Sequence, residues 1–243
     1  MKRFPFLASL LMMLSIFFLV SCGSNETASS DQTTDTTAAT PTETTPVSTI
    51  TTTPLNIMVA THKVKDFASW KSSYDAHDSL RLANGVHSFT IGRGDKDPNM
   101  VRVVVRVDDI DKAKSFSKNP DLKQAMQKGG VTGTPTFKFY TLVFRDSAQN
   151  KINLRSATTI TVKDWNTWQK SFDSTRQLGT DNGLSTLGYG HEIDDNHKVL
   201  IVSAILDTAK ANAYWNSDLL KQRRAASGAG EPTRFIFNRV QQY

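Results

Sequence analysis

Side chains that titrate near neutral pH are few in this 243-residue chain: five histidines and one cysteine. Two of the histidines sit where they could do chemistry. His62 ends an apolar run, four residues before Asp66, and an imidazole there could take or give a proton at neutral pH. The alternative is a strand-end ring bonded to backbone. His77 and Arg81 lie four apart in a helical stretch that also carries Trp70 and Tyr74. At that spacing they share a face, and with the two aromatic rings they could line an anion-accepting pocket. The competing reading makes the periodic aromatics a buried stripe, with His77 and Arg81 at its wet margin. His62, His77 and Arg81 are thus the candidate catalytic groups, and Trp70 and Tyr74 the candidate ligand contacts.

Other motifs carry less. "HEIDDNH" (191–197) gathers two histidines and three acids, but it lies where a hairpin turn belongs and lacks a zinc-ligand spacing. No metal site is expected. Arg93-Gly94-Asp95 falls at a hairpin tip, where Gly and Asp are favoured in any case. "GGVTGTP" (129–135) lacks the Gly-Lys-Ser/Thr ending of a phosphate loop, and there is no G-x-S-x-G elbow. No cofactor is expected. Cys22 is the only cysteine, so no disulfide forms within the chain and no second thiol is left for catalysis.

The chain divides by composition. Residues 1–21 read as a secretory leader: Lys2 and Arg3, an apolar run from Phe4 to Val20, then small Ser21. "LVSC" (19–22) resembles a bacterial lipobox, which implies cleavage before Cys22 and lipid (palmitate among it) on that residue. The expected location is the cell envelope, with the chain anchored to membrane through Cys22. Residues 22–54 read as a disordered stalk; 13 of residues 23–54 are Thr, and too little apolar surface is present to offset the entropy of ordering. Without the leader's two bases and the stalk's four acids, residues 55–243 hold 27 Lys+Arg and 19 Asp+Glu, a net charge of +8. These bases are dispersed, so nucleic acid is not an expected partner.

Two candidate domains follow, 55–145 and 150–243, and each writes the same phrase. "VKDFASWKSSYD" (64–75) returns as "VKDWNTWQKSFD" (162–173) at an offset of 98. Asn84-Gly85 returns as Asn182-Gly183 and Gly92 as Gly190; after a one-residue deletion, Asp121-Leu122 returns as Asp218-Leu219 and Pro135-Thr136 as Pro232-Thr233. Two copies at this period point to duplicated domains. The first copy predicts strand 55–63, helix 66–83, strands 86–94 and 100–107 as a hairpin, a helical stretch broken near Asn119-Pro120, and strand 134–144. The second predicts strand 153–161, helix 164–180, hairpin 184–192 and 198–205, helix 207–226 and strand 232–241. The order β-α-β-β-α-β, twice, is a ferredoxin-like pattern, so the fold class is α+β. Helices cover one face of such a sheet, yet these strands are apolar on both alternations, with Val103 and Val105 on one face and Val101, Val104 and Val107 mixed across the other. The second sheet is the simplest cover for that bare face. The expectation is an intramolecular dimeric α+β barrel in a monomeric chain.

"HKVKDFASWKSSYD" (62–75) with "PDLKQAMQKGGVTGTP" (120–135) resembles the dimeric α+β barrel superfamily, which contains antibiotic-biosynthesis-type monooxygenases. The resemblance is better over 55–145 than over 150–243. It implies a ligand cavity between sheet and helices. Haem degradation is not implied, because no strand Asn sits where that branch has one. The second copy replaces His62 by Ile160, His77 by Thr175 and Arg81 by Gly179. The polar residues therefore direct the search for a site to the first copy and leave the second a barrel-forming role. Two functions are expected: non-catalytic binding of a small, partly apolar ligand or a protein partner, or an enzyme resembling cofactor-independent monooxygenases that acts on a small aromatic or quinone-like substrate.

Overall fold

A computed structural model describes residues 48–243. The leader, Cys22 and most of the stalk lie outside the described residues. The elements are β1 (Ile50–Thr51), β2 (Leu55–Val64), α1 (Phe67–Ala76), α2 (Asp78–Ala83), β3 (Val86–Gly94), β4 (Met100–Val107), α3 (Ile110–Ser117), α4 (Pro120–Lys128) and β5 (Val131–Asp146). They continue as β6 (Leu154–Thr161), α5 (Trp165–Asp181), β7 (Leu184–Glu192), β8 (Lys198–Ile205), α6 (Thr208–Asn216), α7 (Asp218–Ala226) and β9 (Thr233–Gln242). This is a mixed α+β fold: seven helices among the described residues, and one large antiparallel sheet in the order β1-β5-β2-β4-β3-β9-β6-β8-β7. Within 55–146 and again within 154–242, the strands run fourth-first-third-second, the ferredoxin-like order. β5 also pairs with β7, so eight strands form a closed hydrogen-bonded circuit.

Local chemistry starts the helices. The side chains of Asp66, Asp109, Asp164 and Asp207 accept hydrogen bonds from the backbone N–H of Ser69, Lys112, Thr167 and Lys210, at 2.7–3.0 Å. Each satisfies one of the N–H groups a helix start leaves free, which contributes about 1 kcal/mol per cap. Asn119 caps α4 and Ser217 caps α7. Gly85 and Gly183 turn the chain out of the preceding helices at φ 65° and 78°, a region where other residues are strained.

Alternation along the strands supplies two kinds of core. Val101, Val103, Val105 and Val107 of β4 all face the helices with Trp70 and Phe116, so Val101 and Val107 do not join Val104 on the other face, because strand side chains alternate strictly. The opposite alternation builds an inner core: Ile57, Val59, Tyr140 and Leu142 pack with Ala157, Leu200 and Phe237, and Val104 lies against them. Trp165, Trp168, Tyr189 and Val199 form the helix-side core of the later half, with Ala211 and Leu184 in a neighbouring cluster.

Several boundaries differ from the sequence reading. Helix 66–83 breaks at His77, which adopts φ −101°, ψ 22° between α1 and α2. Helix 207–226 breaks at Ser217, whose extended backbone and hydroxyl cap start α7. The strand expected at 134–144 runs from Val131 to Asp146. The stalk expected to reach residue 54 ends in structure: Ile50 and Thr51 pair with Asp146 and Arg145. The one-residue deletion also moves. Asn119 and Ser217 cap equivalent nine-residue helices at offset 98, and Val64↔Val131 matches Val162↔Ala229. The gap therefore falls after residue 131, not before Asp121, because the strand turn absorbs a missing residue without disturbing a helix.

Candidate functional site

His62 is near the end of β2, opposite Val101 of β4, and at the point where the β2–β5 register slips between Thr61 and Lys63. Such a bulge re-aims a side chain. Here the ring turns inward beside Trp70, with ring centroids 5.5 Å apart, and is 4 % exposed. Neither ring nitrogen has a hydrogen-bond partner or access to water. Burial pushes the His62 pKa down to about 4, so the ring is neutral at pH 7.

α1 supplies the wall. Trp70 stacks on Tyr74 at 5.3 Å, and the Tyr74 hydroxyl hydrogen-bonds the Ser88 hydroxyl at 2.7 Å. Burial raises the Tyr74 pKa and keeps the phenol neutral. Arg81 is not at a wet margin: it is 6 % exposed, with its guanidinium 3.7 Å from the Tyr74 ring centre. It donates to the Tyr74 carbonyl at 2.6 Å and to Asp78 at 2.9 Å, while its Nε has no partner. The break at His77 explains this burial, since α2 turns Arg81 back over the end of α1. His77 donates through Nδ1 to the Ser73 carbonyl at 2.6 Å.

All five residues singled out from the sequence, His62, Trp70, Tyr74, His77 and Arg81, line one cavity of about 70 Å³ between sheet and helices. Its remaining lining is mostly apolar, including Met58, Val103, Val105, Met126 and Phe137. Tyr74, His77 and Arg81 are committed to structural bonds, and His62 is sealed. What the arrangement offers is a small, mostly apolar chamber in which the neutral His62 ring can donate or accept a hydrogen bond if a neighbouring ring shifts.

Sequence reasoning missed a second chamber. Each residue lining the first has a counterpart lining another cavity, of about 140 Å³, in the later half. Most of these counterparts lie 98 positions on. The signal was available in Arg223, Arg224 and Arg234, but these looked like dispersed surface bases. "HEIDDNH" meanwhile ends β7 and enters the turn to β8; Asp195 pairs there with Lys198 at 3.2 Å and lies 3.3 Å from His197.

No family profile and no curated protein matches the chain. Solved structures do resemble it. An anthrone oxidase-like protein aligns with TM-score 0.55 and 10% identity, over 80% of this chain and 95% of that one. A Fusobacterium nucleatum protein provisionally named a monooxygenase aligns with TM-score 0.52 and 15% identity, over 77% and 93%. A similarly named protein of Lactobacillus acidophilus gives 0.50 and 11%, over 78% and 95%. At these identities the likeness concerns the fold alone.

Proposed function

We propose that this chain is a non-catalytic binding protein of the cell envelope, anchored by lipid at Cys22, which holds a small, partly apolar molecule in the first-half cavity. The observation that carries this reading is the convergence of His62, Trp70, Tyr74, His77 and Arg81 on one chamber. An imidazole with both nitrogens unpartnered costs about 1–3 kcal/mol for each unsatisfied group, a cost that a hydrogen-bonding ligand would offset. The scaffold in this reading is a fused pseudo-dimer: two ferredoxin-like halves supply both sides of one barrel. The closed strand circuit and the inner core shared by residues 57–142 and 157–237 support it.

Cofactor-independent oxygenation of a small aromatic or quinone-like substrate is the second reading. It is favoured by one observation, that His62 lines the same chamber as the Trp70 and Tyr74 rings; burial, which pushes its pKa down to about 4, makes the ring a weak base. Against it stands the size of the chamber, which has room for about five water molecules. Native mass spectrometry of the full chain, extracted in detergent, tests both. A small molecule retained by the wild type, lost in Trp70→Ala and unchanged in mass after exposure to air, is the expected result. An oxygenated product would overturn the binding reading in favour of the enzyme. The same spectrum reads the anchor: the amino-terminal peptide should begin at Cys22 and carry acyl mass.

A further inference from the structure

The later half holds the larger chamber, and its chemistry is not that of the first. Gly179 stands where Arg81 fills the first chamber, which accounts for part of the extra volume. The floor also changes. In the first half the row across three strands is Met58, Val105 and Ser88; in the second it is Ser156, Ser203 and Thr186, in direct register. Three neighbouring strands thus present a row of hydroxyls, on residues that include the buried Ser156 and Ser203.

The roof changes more. On α7, Arg223 and Arg224 take the places of Ala125 and Met126 of α4, and both line the chamber. On β9, Arg234 pairs with Thr158 as Phe137 pairs with Ala60. Three apolar positions have become three guanidiniums. Arg224 has a carboxylate partner, the surface residue Glu231 at 3.2 Å. Arg223 and Arg234 have no ion-pair partner among the described residues, and the Arg234 Nε is buried without a hydrogen bond. Burial, and then the nearby Arg224 charge, lower the Arg234 pKa. The Arg234 guanidinium lies 4.2 Å from the Trp215 ring centre, and Trp168 and Phe172, stacked at 4.9 Å on α5, line the same cavity.

A half-buried chamber with surplus positive charge is suited to an anion, because the low dielectric strengthens the attraction and the guanidinium fork matches a carboxylate in a two-point bond. Its aromatic walls are suited to a flat ring. We propose that the second chamber is a binding site for a small aromatic carboxylate, with the ring among Trp168, Phe172 and Trp215 and the carboxylate at Arg223 and Arg234. The hydroxyl row receives polar substituents of the ring. This site goes beyond the first-chamber reading and stands on different residues.

The test is calorimetric titration of the full chain with 1-naphthoate, its neutral isostere 1-naphthamide, and inorganic phosphate. Naphthoate should bind saturably, at least tenfold tighter than naphthamide, and phosphate at the same concentration should not displace it. Arg234→Gln and Arg223→Gln should each weaken naphthoate at least tenfold. Lys210→Gln, which removes an exposed charge of the same half, should not. Arg223 lies on a half-exposed helix face, so its variant carries the test if Arg234→Gln fails to fold. Equal affinity for acid and amide, displacement by phosphate, absence of saturable binding, or an equal loss in Lys210→Gln would each overturn the proposal. Failure of the first-chamber reading leaves this titration untouched, because it is read through Arg223 and Arg234.

Discussion

His62 links one residue to the stability of the whole. Its folded pKa of about 4 lies below the ordinary 6.5, so between those values the unfolded chain holds a proton that the folded chain refuses. Stability from this group is complete above pH 6.5, falls as pH drops through the window, and levels off below about 4. A shift of that size corresponds to about 3 kcal/mol. Urea unfolding of the wild type and of His62→Leu, run from pH 7.5 to 4, should show the two curves drawing apart as the pH falls. A parallel pair of curves would mean that His62 is protonated or solvated in the folded state. Arg81 makes the opposite point. Its position on a helical face was legible, but its burial was not, because the break at His77 that folds it over Tyr74 has no Gly or Pro to announce it.

At the scale of elements, the recurrent Gly92 and Gly190 acquire a reason. Gly92 sits in β3 where it pairs with β9, and Gly190 in β7 where it pairs with β5, the two seams between the halves. A Cβ at Gly92 would meet the Phe237 ring, and one at Gly190 would meet the Thr141 carbonyl and Leu142 backbone. Phe237 is itself buried in the inner core and stacked on Phe235, so neither clash relaxes cheaply. Gly92→Ala and Gly190→Ala should therefore each cost about 1–3 kcal/mol by overpacking. Thermal unfolding checks this; a negligible loss in either variant would show that its seam relaxes freely. The helix caps belong to the same scale. The helix starts expected at Asp66, Asp164 and Asp207 hold in the structure, and Asp109 caps α3 in the same way.

For the molecule as a whole, the inner core decides what can stand alone. Ile57, Val59, Tyr140 and Leu142 are covered by Ala157, Leu200 and Phe237. Residues 55–145 expressed without the rest would expose that apolar face and two unpaired seam strands, β3 and β5. Light scattering should find this fragment dimeric or aggregated and the full chain monomeric. A stable monomeric fragment would contradict the proposed fused pseudo-dimer.

The amino-acid sequence by itself determined what depends on neighbours along the chain. Strands 86–94, 100–107, 184–192 and 198–205 were legible to the residue, because alternation and turn residues are local signals. So were the helix starts at Asp66, Asp164 and Asp207 and the α+β class. Tertiary structure alone decided what depends on register between distant strands. Asp121-Leu122 looks like Asp218-Leu219 in sequence, yet the caps place the gap beyond residue 131. Only with the gap there do Arg223 and Arg224 fall over the sheet, and only β6–β9 pairing puts Arg234 beside Thr158. A base on the surface and a base in a chamber have the same letter; the packing around them sets the dielectric and hence what they attract.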